Sequence, residues 1–291
     1  TATEKALKGV WNEAKNTKRQ IKSMPRIFIQ IASYRDPDCQ WTLKDLFEKA
    51  AHPERIFVGI CWQVVEGEDD ICFKEPYPRP EQVRVKKVDA RESKGACWAR
   101  SETQKLWQGE EFTLQIDSHM RFEPGWDDLL LEMWNACENP NAVLTCYPPG
   151  FTPPDKLERG WVFAMAAKEF DKNGILLMHG KPAFKEGAFP PKPMPGAFLS
   201  GCLFFGPSRM IADVPYDPHL YFFGEEISMA ARLWTHGYDF YHPNQLVIYH
   251  DWDRGKRPLH FTDHRDIKTR NELSFARVRH LLGTETSGNA E

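Results

Sequence analysis

Apolar residues in this chain fall into two patterns that alternate, short unbroken runs and stripes at helical spacing. Arg26-Ile-Phe-Ile-Gln-Ile-Ala-Ser33 and Arg55-Ile-Phe-Val-Gly-Ile-Cys-Trp62 are near-continuous apolar runs. Such runs predict strands of a parallel sheet covered on both faces. Between them, over roughly Gln40 to Ala51, Trp41, Leu43, Leu46 and Phe47 form the apolar face of a helix. Val83 to Val88 alternates and predicts a third, more exposed strand. A helix over Ala96–Trp107 and a strand over Phe112–Ile116 follow. This β–α alternation is that of nucleotide-binding α/β domains.

The second half is less regular. Trp126–Cys137 reads as a helix with Leu129, Leu130, Met133 and Trp134 on one side. Ala142–Tyr147, Trp161–Ala167, Phe198–Phe205 and Leu246–Tyr249 read as strands. Glu225–His236 reads as a helix with Ile227, Ala230, Ala231 and Trp234 inward, and Ile267–Leu282 as a final helix. Lys181–Pro195 holds Pro182, Pro190, Pro191, Pro193 and Pro195. That density predicts a stiff, irregular loop bordering a site. Ahead of Pro25, six Lys/Arg side chains face only Glu4 and Glu13, over a loose stripe of Leu7, Val10, Trp11, Ala14 and Ile21. This predicts a basic helical leader over residues 1–24, either solvated or in contact with an anionic surface or partner.

Composition narrows the class. Of 291 residues, 41% are hydrophobic and 27% charged, an ordinary globular balance that argues against disorder, coiled coil and collagen. A net charge of -3 does not suggest a nucleic-acid binder. Aromatics reach 13%, with 10 Trp and 19 Phe, which fits a well-packed core or a sugar-handling site. Seven Cys without a C-x-x-C pair exclude a complete disulfide framework and point to a reducing compartment. No run of about 18 uncharged apolar residues predicts a membrane span. The chain begins at Thr1 rather than Met, as a piece trimmed from a longer protein would.

Several segments could carry chemistry. In Asp117-Ser118-His119 an apolar strand ends and presents an acid and a histidine two residues apart. Residues at i and i+2 of an extended chain point the same way. One carboxylate oxygen and one imidazole nitrogen could meet one divalent ion, with Mn²⁺ the best match and Mg²⁺ or Zn²⁺ the alternatives. A loop aspartate capping a turn beside a surface histidine is the plainer explanation. His250 again ends an apolar strand and is a candidate third ligand, with His260 and His264 as fallbacks. In Tyr221-Phe-Phe-Gly-Glu225-Glu226, two acids open a helix. They complement its dipole or hold a sugar hydroxyl beside aromatic rings. Gly95 precedes a helix carrying Arg100, which suits a diphosphate. Arg254, Lys256 and Arg257 follow His250 and could neutralise a leaving diphosphate.

Together, the stretches IASYRDPDC, PERIFVGICWQ, ARSETQKLW, QIDSHMRFEPGWD, GAFLSGCLFFGPSRM and VIYHDW resemble the cytoplasmic polypeptide α-N-acetylglucosaminyltransferases. Eukaryotic members of that family attach GlcNAc to a hydroxyproline of a ubiquitin-ligase adaptor. The chain is more distantly similar to the polypeptide N-acetylgalactosaminyltransferases. The resemblance runs from about Arg26 to Trp252. It implies a GT-A fold, a Rossmann-like, mostly parallel sheet flanked by helices, in one catalytic domain over 25–283. Residues 25–120 would form its nucleotide-binding half and 121–283 its acceptor-binding half, before a flexible tail over 284–291.

The same resemblance implies a cytoplasmic enzyme that moves a sugar, GlcNAc by the match, from a UDP-sugar to a hydroxyl of a protein or glycan, with retention of anomeric configuration. It makes Asp117, His119 and His250 the ligands of Mn²⁺, with Mg²⁺ as the alternative. It puts Arg35 and Asp36 near the uridine, Arg100 and Asp117 near the nucleotide, and Arg254 or Arg257 on the β-phosphate. Glu225 and Glu226 fall in the acceptor or sugar segment as candidate catalytic carboxylates beside Asp117. The competing expectation is a catalytically silent UDP-sugar or glycan-binding module. A zinc hydrolase is disfavoured by the absence of H-E-x-x-H and of a tight His cluster.

Overall fold

The computed structural model describes residues 24–284. All but the last residue of the expected basic leader, and residues 285–291 of the expected tail, lie outside the described residues. In chain order the strands are β1 (Ile27–Tyr34), β2 (Ile56–Val64), β3 (Val83–Asp89), β4 (Phe112–Ile116), β5 (Met120–Phe122), β6 (Ala142–Thr145) and β7 (Phe151–Thr152). They continue with β8 (Lys156–Leu157), β9 (Trp161–Phe170), β10 (Leu176–Lys185), β11 (Met194–Gly196), β12 (Leu203–Pro207), β13 (Asp239–His242) and β14 (Ile248–His250). The helices are α1 (Cys39–Lys49), α2 (Ala96–Gln104), α3 (Trp126–Ala136), α4 (Met210–Asp213), α5 (Glu225–Thr235), α6 (His260–Asp263) and α7 (Ile267–Leu281).

Eight strands form the central sheet, in the order β11-β13-β6-β12-β4-β1-β2-β3. The β1–β2, β2–β3, β1–β4 and β6–β13 pairs are parallel. β12 runs antiparallel between β4 and β6, and β11 antiparallel to β13. The apolar runs read as central strands are β1 and β2, whose Ile27, Ile29, Ile31, Val58 and Ile60 are fully buried. On that side Leu43 and Leu46 of α1 and Trp126 of α3 complete one core. In β6, β12 and β13 the alternation divides the residues. Leu144, Phe205 and Tyr241 join the first core, while Val143, Phe204 and Phe240 pack with Met229 and Leu233 of α5 and Val278 of α7. The edge strand β3 exposes Lys86 and Lys87, which discourages further strand addition.

Three expectations need correction. Lys181–Pro195 is not one irregular loop. Its first part belongs to β10, which pairs with β9 as a separate hairpin, and Met194 and Pro195 belong to β11. Pro182 is tolerated because the ladder shifts register between Pro182 and Phe184, and Pro195 because β11 is an edge. The strand expected from Phe198 starts only at Leu203, because Ser200, Gly201 and Cys202 form a turn region ahead of it. On α5 the buried apolar face is Met229, Ala230 and Leu233, while Trp234, expected inward, is exposed, because it lies one position past Leu233 on the solvent side of the helix. β5 pairs with β14, His250 lying opposite Met120.

Gly95 joins this frame to the site. Its backbone has φ +108° at the start of α2, and a Cβ there would lie 2.3 Å from the Tyr221 carbonyl oxygen. The neighbouring Ala96 N–H donates to that same oxygen at 2.9 Å. We expect Gly95→Ala to lower unfolding free energy by more than the ~1–3 kcal/mol that such backbone strain alone costs. Gly109→Ala, at φ +86° with nothing within 4 Å of the added Cβ, should lose only the strain. Urea denaturation of the two variants makes the comparison, and equal losses would contradict the packing role of Gly95.

Candidate functional site

A cleft of about 750 Å³ opens at the carboxyl end of β4, where α/β sheets present ligand-binding loops. Its lining includes Arg100, Asp117, His119, Cys202, Glu226 and His250. Asp117 follows the last residue of β4, and the turn through His119 leads into β5. Because β14 pairs with β5, His250 is carried back beside that turn. The His119 and His250 rings meet edge to face, with centroids 4.6 Å apart.

Asp117 is the centre of the arrangement. Its Oδ2 lies 3.1 Å from His250 Nε2 and 3.9 Å from His119 Nε2, while its Oδ1 accepts from Arg100 Nη2 at 2.9 Å. Burial alone would raise this carboxyl; the His250 contact and the Arg100 charge outweigh it and hold the group well below the usual carboxylate range. His250 is itself pushed down to about 4, chiefly by burial, so its imidazole is neutral at neutral pH. His250 Nδ1 is buried without a hydrogen-bond partner.

His119 is oriented from behind. Its Nδ1 lies 2.7 Å from Asp36 Oδ2, which also accepts from Ser118 Oγ at 2.7 Å. Burial would raise Asp36, but the His119 hydrogen bond and the nearby charges bring it down to about 2. A carboxylate on one imidazole nitrogen leaves the other free for a metal. The distances from Asp117 Oδ2 to His250 Nε2 and to His119 Nε2 are each within what two bonds of about 2.1 Å to a shared ion would span. Asp117 with either histidine therefore offers an oxygen and a nitrogen donor that fit a divalent ion.

Arg100 lies buried between two acids. Its guanidinium meets Asp117 on one side and forms a close ion pair with Glu225 Oε1 on the other. Tyr216 Oη donates to the same Glu225 oxygen at 2.9 Å. Glu226 is held differently. Its Oε2 accepts from Tyr147 Oη at 2.6 Å and its Oε1 from the Gly201 N–H at 2.8 Å. Burial raises the Glu226 carboxyl despite those donors. Both acids line the cleft.

The remaining expected residues divide. Arg254 and Arg257 line the cleft; Arg257 Nη2 donates to the Asp251 carbonyl at 3.1 Å, and its Nε is 3.9 Å from Asp36. Arg35 does not line it. Its guanidinium is taken by Asp69 and Glu68, each at 2.8 Å, and by Asp263 at 3.1 Å. Asp36 stands behind His119 and likewise does not line the cleft. Of the fallback ligands, His260 reaches the lining, whereas His264 is bonded to Tyr221 Oη and the Ala90 carbonyl. Phe222 and Phe223 line the cleft, but Tyr221 is buried and structural. Sequence reasoning missed Tyr147 and Cys202. Cys202 is visible only through the register that pairs Leu203 with Ile116.

Comparison with known proteins identifies the family and the fold. The family model described as Glycosyltransferase (GlcNAc) matches residues 26–79 and 74–291. Among solved structures, GalNAc-T7 with UDP, GalNAc and Mn²⁺ is similar with a TM-score of 0.65 and 14% identity, covering 90% of this chain and 49% of that one. This chain thus spans about half the length of that structure. TarS 1-349 from S. aureus, in complex with UDP-GlcNAc, is similar with a TM-score of 0.51 and 12% identity, covering 90% of this chain and 73% of that one. At such identities the likeness shows the fold, which is GT-A. No curated protein matches the chain.

The Arg100 ion pairs generate a stability prediction. Arg100→Met leaves Glu225 buried without its cation, and breaking a buried pair typically costs about 3–5 kcal/mol. Arg100→Met combined with Glu225→Gln should recover part of that loss in chemical denaturation. A single variant as stable as the parent would contradict the account.

Proposed function

The chain belongs to the Glycosyltransferase (GlcNAc) family, and on that premise we propose that it transfers GlcNAc from UDP-GlcNAc to a hydroxyl of a protein or glycan acceptor, retaining anomeric configuration. The observation that carries this reading is the grouping of Asp117, His119 and His250 in the cleft at the end of β4. These three residues would hold a divalent ion. Their oxygen and nitrogen donors suit Mn²⁺, with Mg²⁺ as the alternative. A bound ion would supply neutralisation of the diphosphate charge as UDP departs.

The protein's own groups account for the rest. Asp36 holds His119 in one tautomer, and Arg100 fixes the Asp117 rotamer. Arg254 and Arg257 offer positive charge to the leaving β-phosphate. Arg35 shapes the loop after β1 on the uridine side, where Asp36 acts through His119. Glu226, held by the neutral donors Tyr147 and Gly201, faces the sugar; Glu225, paired with Arg100, braces it. In a front-face transfer the departing phosphate oxygen takes the acceptor proton, so no protein nucleophile is required. In a double displacement, Glu225 or Glu226 would supply it. Free cysteines throughout the described residues suit a cytoplasmic setting, and none of the described helices is long and apolar enough to cross a membrane.

UDP release tests the reading. With Mn²⁺ present, we expect turnover with UDP-GlcNAc to exceed that with UDP-GalNAc, UDP-glucose or UDP-galactose. Asp117→Ala, His119→Ala or EDTA should abolish it. Asp36→Asn, which removes the carboxylate charge behind His119, should weaken ion affinity by about 10–100-fold. Undiminished release in EDTA or in either alanine variant would overturn the metal-dependent reading. Binding of UDP without turnover of any of the donors would leave a silent binding module.

A further inference from the structure

Cys202 stands beside the proposed ion site. It precedes β12, whose first residue, Leu203, pairs antiparallel with Ile116 at the end of β4. That register sets Cys202 across from Asp117. One ligand atom each from Asp117, His250 and Cys202 lie within 4.8 Å of one another, the one such set of three among the described residues. Cys202 is 7% exposed and lines the cleft. Ser200 steers it: the Cys202 N–H donates to Ser200 Oγ at 3.3 Å, and Sγ lies 3.1 Å from the same oxygen. The preceding Gly201 packs so closely that a Cβ there would come within 2.8 Å of Arg100 and Glu225. The turn is therefore seated on the same acid–arginine cluster that holds Asp117.

A carboxylate oxygen, an imidazole nitrogen and a sulfur form a donor set of mixed hardness. Mg²⁺ takes oxygen ligands, whereas Zn²⁺, Co²⁺ and Cd²⁺ accept sulfur and nitrogen. We infer that Cys202 is a ligand of this site, so that Asp117, His250 and Cys202 bind a thiophilic divalent cation. The inference rests on the metal-dependent reading above and adds a donor to it. On binding, the S–H bond breaks, the proton passes to solvent, and the thiolate electron pair forms the sulfur–metal bond. Asp117 and His250 are shared with the set completed by His119, so a thiophilic ion competes with Mn²⁺ for the site.

Cobalt titration of the full chain tests this without any assay of turnover. Visible d–d bands report that Co²⁺ is bound, and a near-ultraviolet charge-transfer band reports sulfur ligation. Wild type should show both. Cys202→Ser should keep the d–d bands, lose the charge-transfer band, and bind Cd²⁺ on the order of tenfold more weakly with nearly unchanged Mn²⁺ affinity. Cadmium NMR of the wild-type protein gives the same answer without a substitution, through the shift that a sulfur ligand causes. Cobalt bound without a charge-transfer band, or a band that survives Cys202→Ser, would overturn the role of Cys202 and leave the ion site standing. The absence of any cobalt spectrum would overturn both.

Discussion

Burying a carboxylate requires donors or cations on each of its oxygens, and Asp117 meets that requirement from two directions. Arg100, from α2, takes one oxygen, and His250, from the end of β14, faces the other. Neither partner is near Asp117 in the chain, so the carboxylate ties distant segments to the end of β4. Arg100 extends the linkage to Glu225 at the start of α5. His119 extends it to Asp36 after β1. The cleft is the space these linked segments leave between them.

The topology explains why the segments converge. β1, β2, β3 and β4 run parallel, so their carboxyl ends, and the loops bearing Asp36 and Asp117, open on one side. β12 enters antiparallel next to β4 and delivers its leading turn, with Gly201 and Cys202, to that same side. The short β5–β14 pair, outside the main sheet, completes the set by returning His250. The β9–β10 hairpin walls the cleft with Phe163, Leu176 and Met178. That wall is apolar, whereas Arg100, Asp117, Glu226 and His250 give the same cleft its polar lining.

Much of this was legible in the chain itself. β1 and β2 announced themselves through unbroken apolar runs, and α1 and α3 through helical stripes, whereas the stripe on α5 put the exposed Trp234 on the buried side in place of Met229 and Leu233. The Asp117-Ser-His119 step and His250 stood out because each follows an apolar strand. What the sequence could not display was register and side-chain partnership. Cys202 looks like any buried cysteine until Leu203 is set against Ile116. Tyr147 looks like the end of a strand until its hydroxyl reaches Glu226. Arg35, conspicuous in the first loop, is absorbed by Asp69, Glu68 and Asp263, two of them brought near only by the parallel β1–β2 pairing. The proline-rich stretch misled because proline's exclusion from strands lapses at bulges and edges.

The central claim is that this linked cluster holds a divalent ion against the diphosphate of a UDP-sugar. Crystals grown with UDP and Mn²⁺ address it directly, since manganese is located by its anomalous scattering. The account predicts a single strong peak between the Asp117 carboxylate and the His250 imidazole, in contact with both phosphates of UDP. UDP bound in the cleft with no anomalous peak there, or a peak remote from Asp117, would contradict it.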